Sequence, residues 1–238
     1  SMVVEARAYN LVRTCPATLP STMTELIGEW RWPRELHDIK EFVQPDQVMV
    51  RDLSQSLKHP WTDDTILSMW AWIVDNIQYP KDNQGVPSDS HQLRAFPVNS
   101  HYLVDIQSDP DFWDFPAEVL SRGVSDCDGS AFLLASMLRT VLSPDRVYAV
   151  LGDLNVGGQV GGHAWVEVKR KDGRWYVLET TLADIPQQPW IAAEQAQGMY
   201  CQAVRFNDRE IVLYDAGWLP VIIDAGKVSR LRKLWTGG

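Results

Sequence analysis

Three segments decide the reading of this chain: Gly123-Val-Ser-Asp-Cys127-Asp-Gly-Ser-Ala-Phe-Leu-Leu-Ala135, then Gly161-Gly-His163-Ala-Trp-Val-Glu-Val168, then Trp175-Tyr-Val-Leu-Glu179-Thr-Thr181. The first places a cysteine at the start of an apolar helix, the second a histidine at the start of a strand, and the third a glutamate in the next strand. A cysteine in the first helical turn sees unpaired backbone N–H groups and the positive end of the helix dipole, and both favour thiolate over thiol. The same N–H groups suit a developing oxyanion. A histidine that takes the thiol proton, itself held by a carboxylate, completes the logic of an activated nucleophile. Cys127, His163 and Glu179 are therefore the candidate catalytic residues. Ser125 or Asp126 is the expected cap, and Gly129, Ser130 and Ala131 are expected to let the helix approach a sheet closely.

Register supplies a test. Strand side chains alternate between faces, so His163 and Glu179 share a face only if their hairpin loop has an odd number of residues. A loop from Lys171 to Gly173, with Gly173 left-handed, satisfies this; a two-residue Asp-Gly turn places them on opposite faces.

The helix from Cys127 carries a stripe of Ala131, Leu134, Ala135, Leu138 and Leu142 and stops before Pro144. An earlier helix starts near Thr62, with Asp63 and Asp64 in its first turn. It carries Ile66, Met69, Trp70, Ile73, Val74 and Ile77 at helical spacing and closes at Pro80. A short helix spans 116–120 and ends at Gly123. Strands are expected over 146–151, 163–169, 174–180, 203–206 and 210–214. Helices followed by antiparallel strands define an α+β fold with segregated elements. The organisation read from this is an N-terminal arm over 1–57, irregular and broken by Pro16, Pro20, Pro33 and Pro45, with short helices near 22–29 and 33–42. A core over 58–185 and a C-terminal extension of the same domain over 186–238 follow, with a loop over 81–98.

With 238 residues, 45% of them hydrophobic, the chain can bury one substantial core. Its net charge of −9 argues against nucleic acid or an anionic membrane as the main partner. The basic cluster of Lys227, Arg230, Arg232 and Lys233 reads as a solvated helix face. No stretch approaches the length of a membrane span. Three cysteines (Cys15, Cys127 and Cys201) are too few for a disulfide framework or a thiolate zinc site, and their odd number leaves at least one free thiol. A reducing, cytoplasmic setting is the simplest expectation. His37, His59, His91 and His101 are scattered, and Asp126, Asp128 and His163 lack the spacing of a metal site on one element. No cofactor or metal is expected.

Together these residues resemble the transglutaminase-like superfamily, which includes transglutaminases, bacterial transglutaminase-like cysteine peptidases and peptide N-glycanases. The resemblance runs from about residue 60 to 183. It rests on Trp70-Ala-Trp-Ile-Val-Asp-Asn-Ile-Gln-Tyr79, Asp111-Phe-Trp-Asp-Phe-Pro116-Ala-Glu-Val-Leu120, the cysteine helix, His163-Ala-Trp165 and Trp175-Tyr-Val-Leu-Glu179. It implies an α+β, papain-like core whose cysteine helix packs on an antiparallel sheet carrying the histidine and the acid, with Cys127, His163 and Glu179 as triad. Ser125 stands where the family commonly has glycine, and Glu179 stands where it usually has aspartate. The activity implied is thiol-dependent hydrolysis of a protein or peptide carboxamide. Amine transfer to glutamine and a non-catalytic binding module on the same fold are the alternatives. Trp113 or Tyr79 is the candidate second oxyanion donor; the tryptophans are read as mostly core, with Trp113 and Trp165 as candidates to line a substrate groove.

Overall fold

The computed structural model describes residues 20–23, 27–29, 36–80, 94–98, 101–105, 113–181 and 191–214. The N-terminal part holds β1 (Ser21–Met23), β2 (Ile27–Glu29) and β3 (Leu36–Asp38), a 3-10 turn over Ile39–Phe42, then α1 (Val48–Ser56) and α2 (Thr62–Asn76). After β4 (Arg94–Val98) and β5 (His101–Asp105) come α3 (Pro116–Arg122) and α4 (Cys127–Arg139). The rest is β6 (Val147–Val156), β7 (Gln159–Lys169), β8 (Trp175–Leu178), β9 (Ile191–Ala192), α5 (Ala193–Ala196), β10 (Tyr200–Phe206) and β11 (Ile211–Leu213).

Seven strands form one antiparallel sheet in the order β1-β11-β10-β6-β7-β8-β9. Two small hairpins, β2-β3 and β4-β5, stand apart. Helices on one side and an antiparallel sheet on the other bear out the α+β expectation. The N-terminal region departs from its reading. Strands replace the helix expected near 22–29, a strand and a 3-10 turn replace most of the one near 33–42, and α1 occupies part of the stretch read as irregular. Its start is capped by the Gln47 side chain, which accepts from Val50 N. Within 81–98, read as loop, Arg94–Val98 is a strand paired with β5. Cys15, His91 and the basic cluster at 227–233 lie outside the described residues.

α4 is the hub. Every residue from Asp128 to Leu138 is buried, because α1, α2 and α3 pack around it while β6 and β7 cover its remaining side. A helix apolar all round belongs in a core. Fully burying each of Phe132, Leu133, Leu134, Met137 and Leu138 contributes roughly 1.5–3 kcal/mol. Packing therefore outweighs capping: the N-cap Asp126 makes no side-chain cap hydrogen bond. The buried Ser136 hydroxyl donates to Phe132 O at 2.6 Å and accepts from Gln44 N at 2.8 Å, so the polar group in this core is satisfied.

The sheet is buried on both faces. Ala164, Val166 and Val168 of β7 and Val147, Ala149 and Leu151 of β6 join the α4 cluster. Trp165, Tyr148, Val150, Leu154, Val177 and Tyr200 form a second cluster on the opposite face. On α2, Ile66, Met69 and Ile73 are buried as the spacing predicts, while Val74 is exposed.

Candidate active site

Cys127 is the first residue of α4 and is half-buried. The segment delivering it is tightly tied. α3 ends at Gly123, whose φ of 65° is left-handed, and Gly123 O accepts from Gln78 N at 2.9 Å while Ser125 N donates to Gln78 O at 3.1 Å. These bonds form a parallel bridge between Gln78 and Val124 that joins the end of α2 to the approach to the cysteine. Gly129 serves this turn rather than the sheet. A Cβ there would stand 2.0 Å from Ser125 Oγ and 3.2 Å from Val119 Cγ2. The small residue thus allows the incoming loop to fold over the first turn of α4, which corrects the expectation that it admits the sheet.

His163 and Glu179 meet. The imidazole Nε2 donates to Glu179 Oε2 at 2.8 Å, with both side chains buried. The register is the predicted one: Val166 pairs with Leu178 and Lys169 with Trp175, leaving the three-residue loop Lys171–Gly173. Gly173 has a φ of 79° and donates from N to Arg170 O at 3.1 Å. Two boundaries differ from the sequence reading. β7 starts at Gln159, so His163 sits inside the strand, opposite Gly152 on β6. Of the four glycines before His163, Gly157 and Gly158 form a left-handed turn and Gly161 and Gly162 lie in the strand. Glu179 lies one residue beyond β8.

That early end of β8 matters. Residues 159–165 of β7 pair with β6 on one side, but the pairing with β8 stops at Val166. Alternation puts His163 on the face of Trp165, whereas Cys127 packs with the α4 cluster. Among the described residues no strand pairs with 159–165 on the side away from β6, and Gly161 and Gly162 present no side chains there. Among the described residues Nδ1 has no hydrogen-bond partner.

Glu179 is held on every side. Its Oε1 accepts from Thr180 N and Thr181 N, each at 2.9 Å, and from Thr181 Oγ1 at 3.3 Å. Oε2 accepts from His163 and also from Tyr200 OH at 2.9 Å. The Glu179 carbonyl accepts from the Trp70 indole at 2.6 Å, fixing the backbone to α2. Burial alone would raise the carboxyl pKa. The charge on His163 and the donated hydrogen bonds outweigh it, so the group is held below its ordinary value of 4.5. Tyr200 moves the other way: burial and the Glu179 charge push its phenol up, keeping it a proton donor.

The sequence reading missed Tyr200, because nothing in the local pattern of β10 sets it apart. It also misassigned two tryptophans. Trp113 is 2% exposed, stacked on Phe206 and edge-on to Phe42 and Phe132. Trp165 is fully buried, and its indole donates to Glu167. Neither lines a groove, and Trp113 is no candidate for an oxyanion donor. Tyr79, one residue past the Gln78–Val124 bridge, keeps a placement beside the cysteine turn. Glu167 is a second buried carboxyl on the His163 face. Gln202 Nε2 donates to its two oxygens at 2.5 and 2.6 Å, and desolvation raises its pKa despite these donors.

Among the described residues no group of three or more His, Cys, Asp or Glu side chains could hold a metal ion, and no helix is long and apolar enough to cross a membrane. Cys127 forms no disulfide, while Cys201 is disulfide-bonded. One free thiol agrees with the odd cysteine count, but a disulfide is at odds with the reducing setting expected from the sequence.

A cysteine at the start of a helix that packs on an antiparallel sheet, with a buried His–Glu pair on that sheet, defines a papain-like α+β core. The sequence model of the transglutaminase-like superfamily matches residues 49–180, more than half of the chain. The chain belongs to that superfamily. Among solved structures it is similar to Legionella pneumophila LapG in an EGTA-treated form, at 16% identity and a TM-score of 0.48, covering 69% of this chain and 74% of that one. A second LapG structure aligns at 16% identity and a TM-score of 0.47, covering 73% and 81%. A calcium-bound form aligns at 18% identity and a TM-score of 0.37, covering 70% and 86%. Among curated proteins, no sequence matches.

Proposed function

We propose that the protein is a cysteine hydrolase acting on protein or peptide carboxamides through Cys127, His163 and Glu179. The observation that carries the reading is the buried His163–Glu179 hydrogen bond. It commits Nε2 to the carboxylate and leaves Nδ1 to take the thiol proton.

Nδ1 removes the proton from Cys127, and the thiolate attacks the carboxamide carbon, forming a C–S bond. The oxyanion is stabilised by the Cys127 N–H and one further donor, for which Tyr79 is the candidate. Glu179 stabilises the imidazolium and fixes its tautomer. The imidazolium gives its proton to the amine as the C–N bond breaks. Water then gives a proton to His163 and attacks the thioester, and the C–S bond breaks to release the acid. The disulfide at Cys201 fits an oxidising compartment.

The test is labelling with a peptidyl acyl-electrophile, read by mass spectrometry, alongside turnover of a peptide and isopeptide panel. Cys127 should carry the label, and Cys127→Ala should lose both label and turnover, by about 10⁴-fold or more for the latter. Unchanged turnover in Cys127→Ala would refute the proposal.

A further inference from the structure

We propose that Tyr200 is a positioning residue whose hydroxyl shares the Glu179 Oε2 acceptor with His163 and thereby sets the orientation and basicity of the imidazole. The inference rests on the Cys–His–Glu reading and extends it to a residue outside the segment that matches the family.

The carboxylate has no rotational freedom, because the amides of Thr180 and Thr181 pin Oε1. Oε2 is left with two donors, His163 Nε2 at 2.8 Å and Tyr200 OH at 2.9 Å. Each draws on the same electron density, so the phenol tempers the pull of the carboxylate on the imidazolium. The Tyr200 ring also fixes the local packing, edge-on to Trp165 at 5.1 Å and tilted against His163 at 6.4 Å.

The backbone is built to aim this side chain. β10 pairs with β6 as Val204↔Leu151, then slips by one residue, so that Gln202 faces Gly152 and Tyr200 faces Leu154. Ala203 is the extra residue. Val204 and Phe206 point into the α4 cluster, and uninterrupted alternation would send Tyr200 to that face too. The bulge turns it to the His163 face. Gly152 makes the bulge possible: a Cβ there would lie 2.0 Å from Cys201 O, 2.9 Å from the Trp165 ring and 3.0 Å from Ala203 N. A glycine, a bulge and a shared acceptor thus converge on one ring.

Among the described residues, Glu179 and Tyr200 are the titratable groups that hydrogen-bond or stack with His163. Glu167, on the same face of β7, is occupied by Gln202 and Trp165.

The experiment is an NMR titration of the His163 ring in the Cys127→Ala background, where neither turnover nor a thiolate contributes. Tyr200→Phe keeps the ring and removes the competing donor, so the midpoint should rise by about half a unit to one unit. Tyr148→Phe, which removes a phenol bonded to Glu210 instead, should leave it in place. With Cys127 present, Tyr200→Phe should lower kcat by about tenfold with KM little changed. A midpoint for Tyr200→Phe equal to that of its parent would overturn the proposal, whatever the turnover. If Tyr200→Phe fails to fold, fluorotyrosine at 200, a stronger donor of nearly the same shape, should move the midpoint down, and an unmoved midpoint again overturns it. The titration is independent of Cys127 chemistry, so failure here is distinguishable from failure of the hydrolase reading.

Discussion

Replacing Glu179 by glutamine exchanges one carboxylate oxygen for an NH2 group and should remove most of the proposed chemistry. The Thr180 and Thr181 amides require an acceptor, so the glutamine oxygen takes the Oε1 position and its NH2 group faces His163. An amide nitrogen cannot accept, so the imidazole must present a lone pair at Nε2 and carry its proton on Nδ1. That blocks the nitrogen needed as base. The lost charge also removes the carboxylate that stabilises the imidazolium. In the serine-protease triad, forcing the wrong tautomer costs about 10⁴-fold in turnover, and on the proposed Cys–His–Glu chemistry Glu179→Gln should cost about 10³–10⁴-fold. Alkylation of Cys127 by iodoacetamide measures the effect without a known substrate. At about pH 6 an ordinary thiol of pKa about 8.5 is only about 0.3% ionised, whereas an ion-paired thiolate is mostly formed. A thiolate mostly formed at that pH lies about 3.5 pKa units below the ordinary thiol, and its weaker nucleophilicity returns about 1.6 of those 2.5 log units, which leaves the wild type roughly eightfold faster than an ordinary thiol. Glu179→Gln should collapse to the profile of an ordinary thiol. An alkylation profile and turnover matching the wild type would show that the His163–Glu179 bond does not activate the cysteine.

The two buried glutamates should give opposite pH dependences of stability. Glu179 is held below its ordinary value of 4.5, so its contribution is full above that value and is lost as pH falls through the folded-state pKa. Glu167 is raised above 4.5, so its contribution is full below that value and is lost as pH rises through the folded-state pKa. Urea unfolding across acid and neutral pH should therefore find Glu167→Gln neutral or stabilising near neutrality, with Gln202 turning its oxygen towards the new amide; a loss of stability there would contradict the assignment. Gly152→Ala forces a Cβ against the backbone of β10 and should cost at least about 2–3 kcal/mol in urea unfolding; an unchanged midpoint would show that the bulge tolerates a side chain.

The parts legible in the sequence were those governed by short-range rules. The hairpin register followed from counting alternation across Lys171–Gly173. The cysteine helix followed from an apolar run that opens after Asp126 and stops at Pro144. The rest depended on contacts distant in sequence. Gly157 and Gly158 form the tight turn of a hairpin longer than expected, visible only once β6 and β7 are known to pair to their ends. Tyr200 reaches the site through a bulge opposite Gly152, and no local pattern in Tyr200–Phe206 announces a one-residue slip. Trp113 and Trp165 looked like groove residues because large aromatics suit both roles; their neighbours, not their type, assign them to the interior.

The strand order has a practical consequence for anyone trimming this protein. β10 lies against β6, so the segment matched by the family, 49–180, excludes a central strand of its own sheet. Excising that segment would strip the unsheathed flank of β6 of its partner, leaving a row of open amides and carbonyls ready to recruit a foreign strand. A fragment cut to the recognised borders should therefore aggregate, whereas one that retains both Ser21–Met23 and Tyr200–Leu213 should keep β6, β10 and β11 paired on that side.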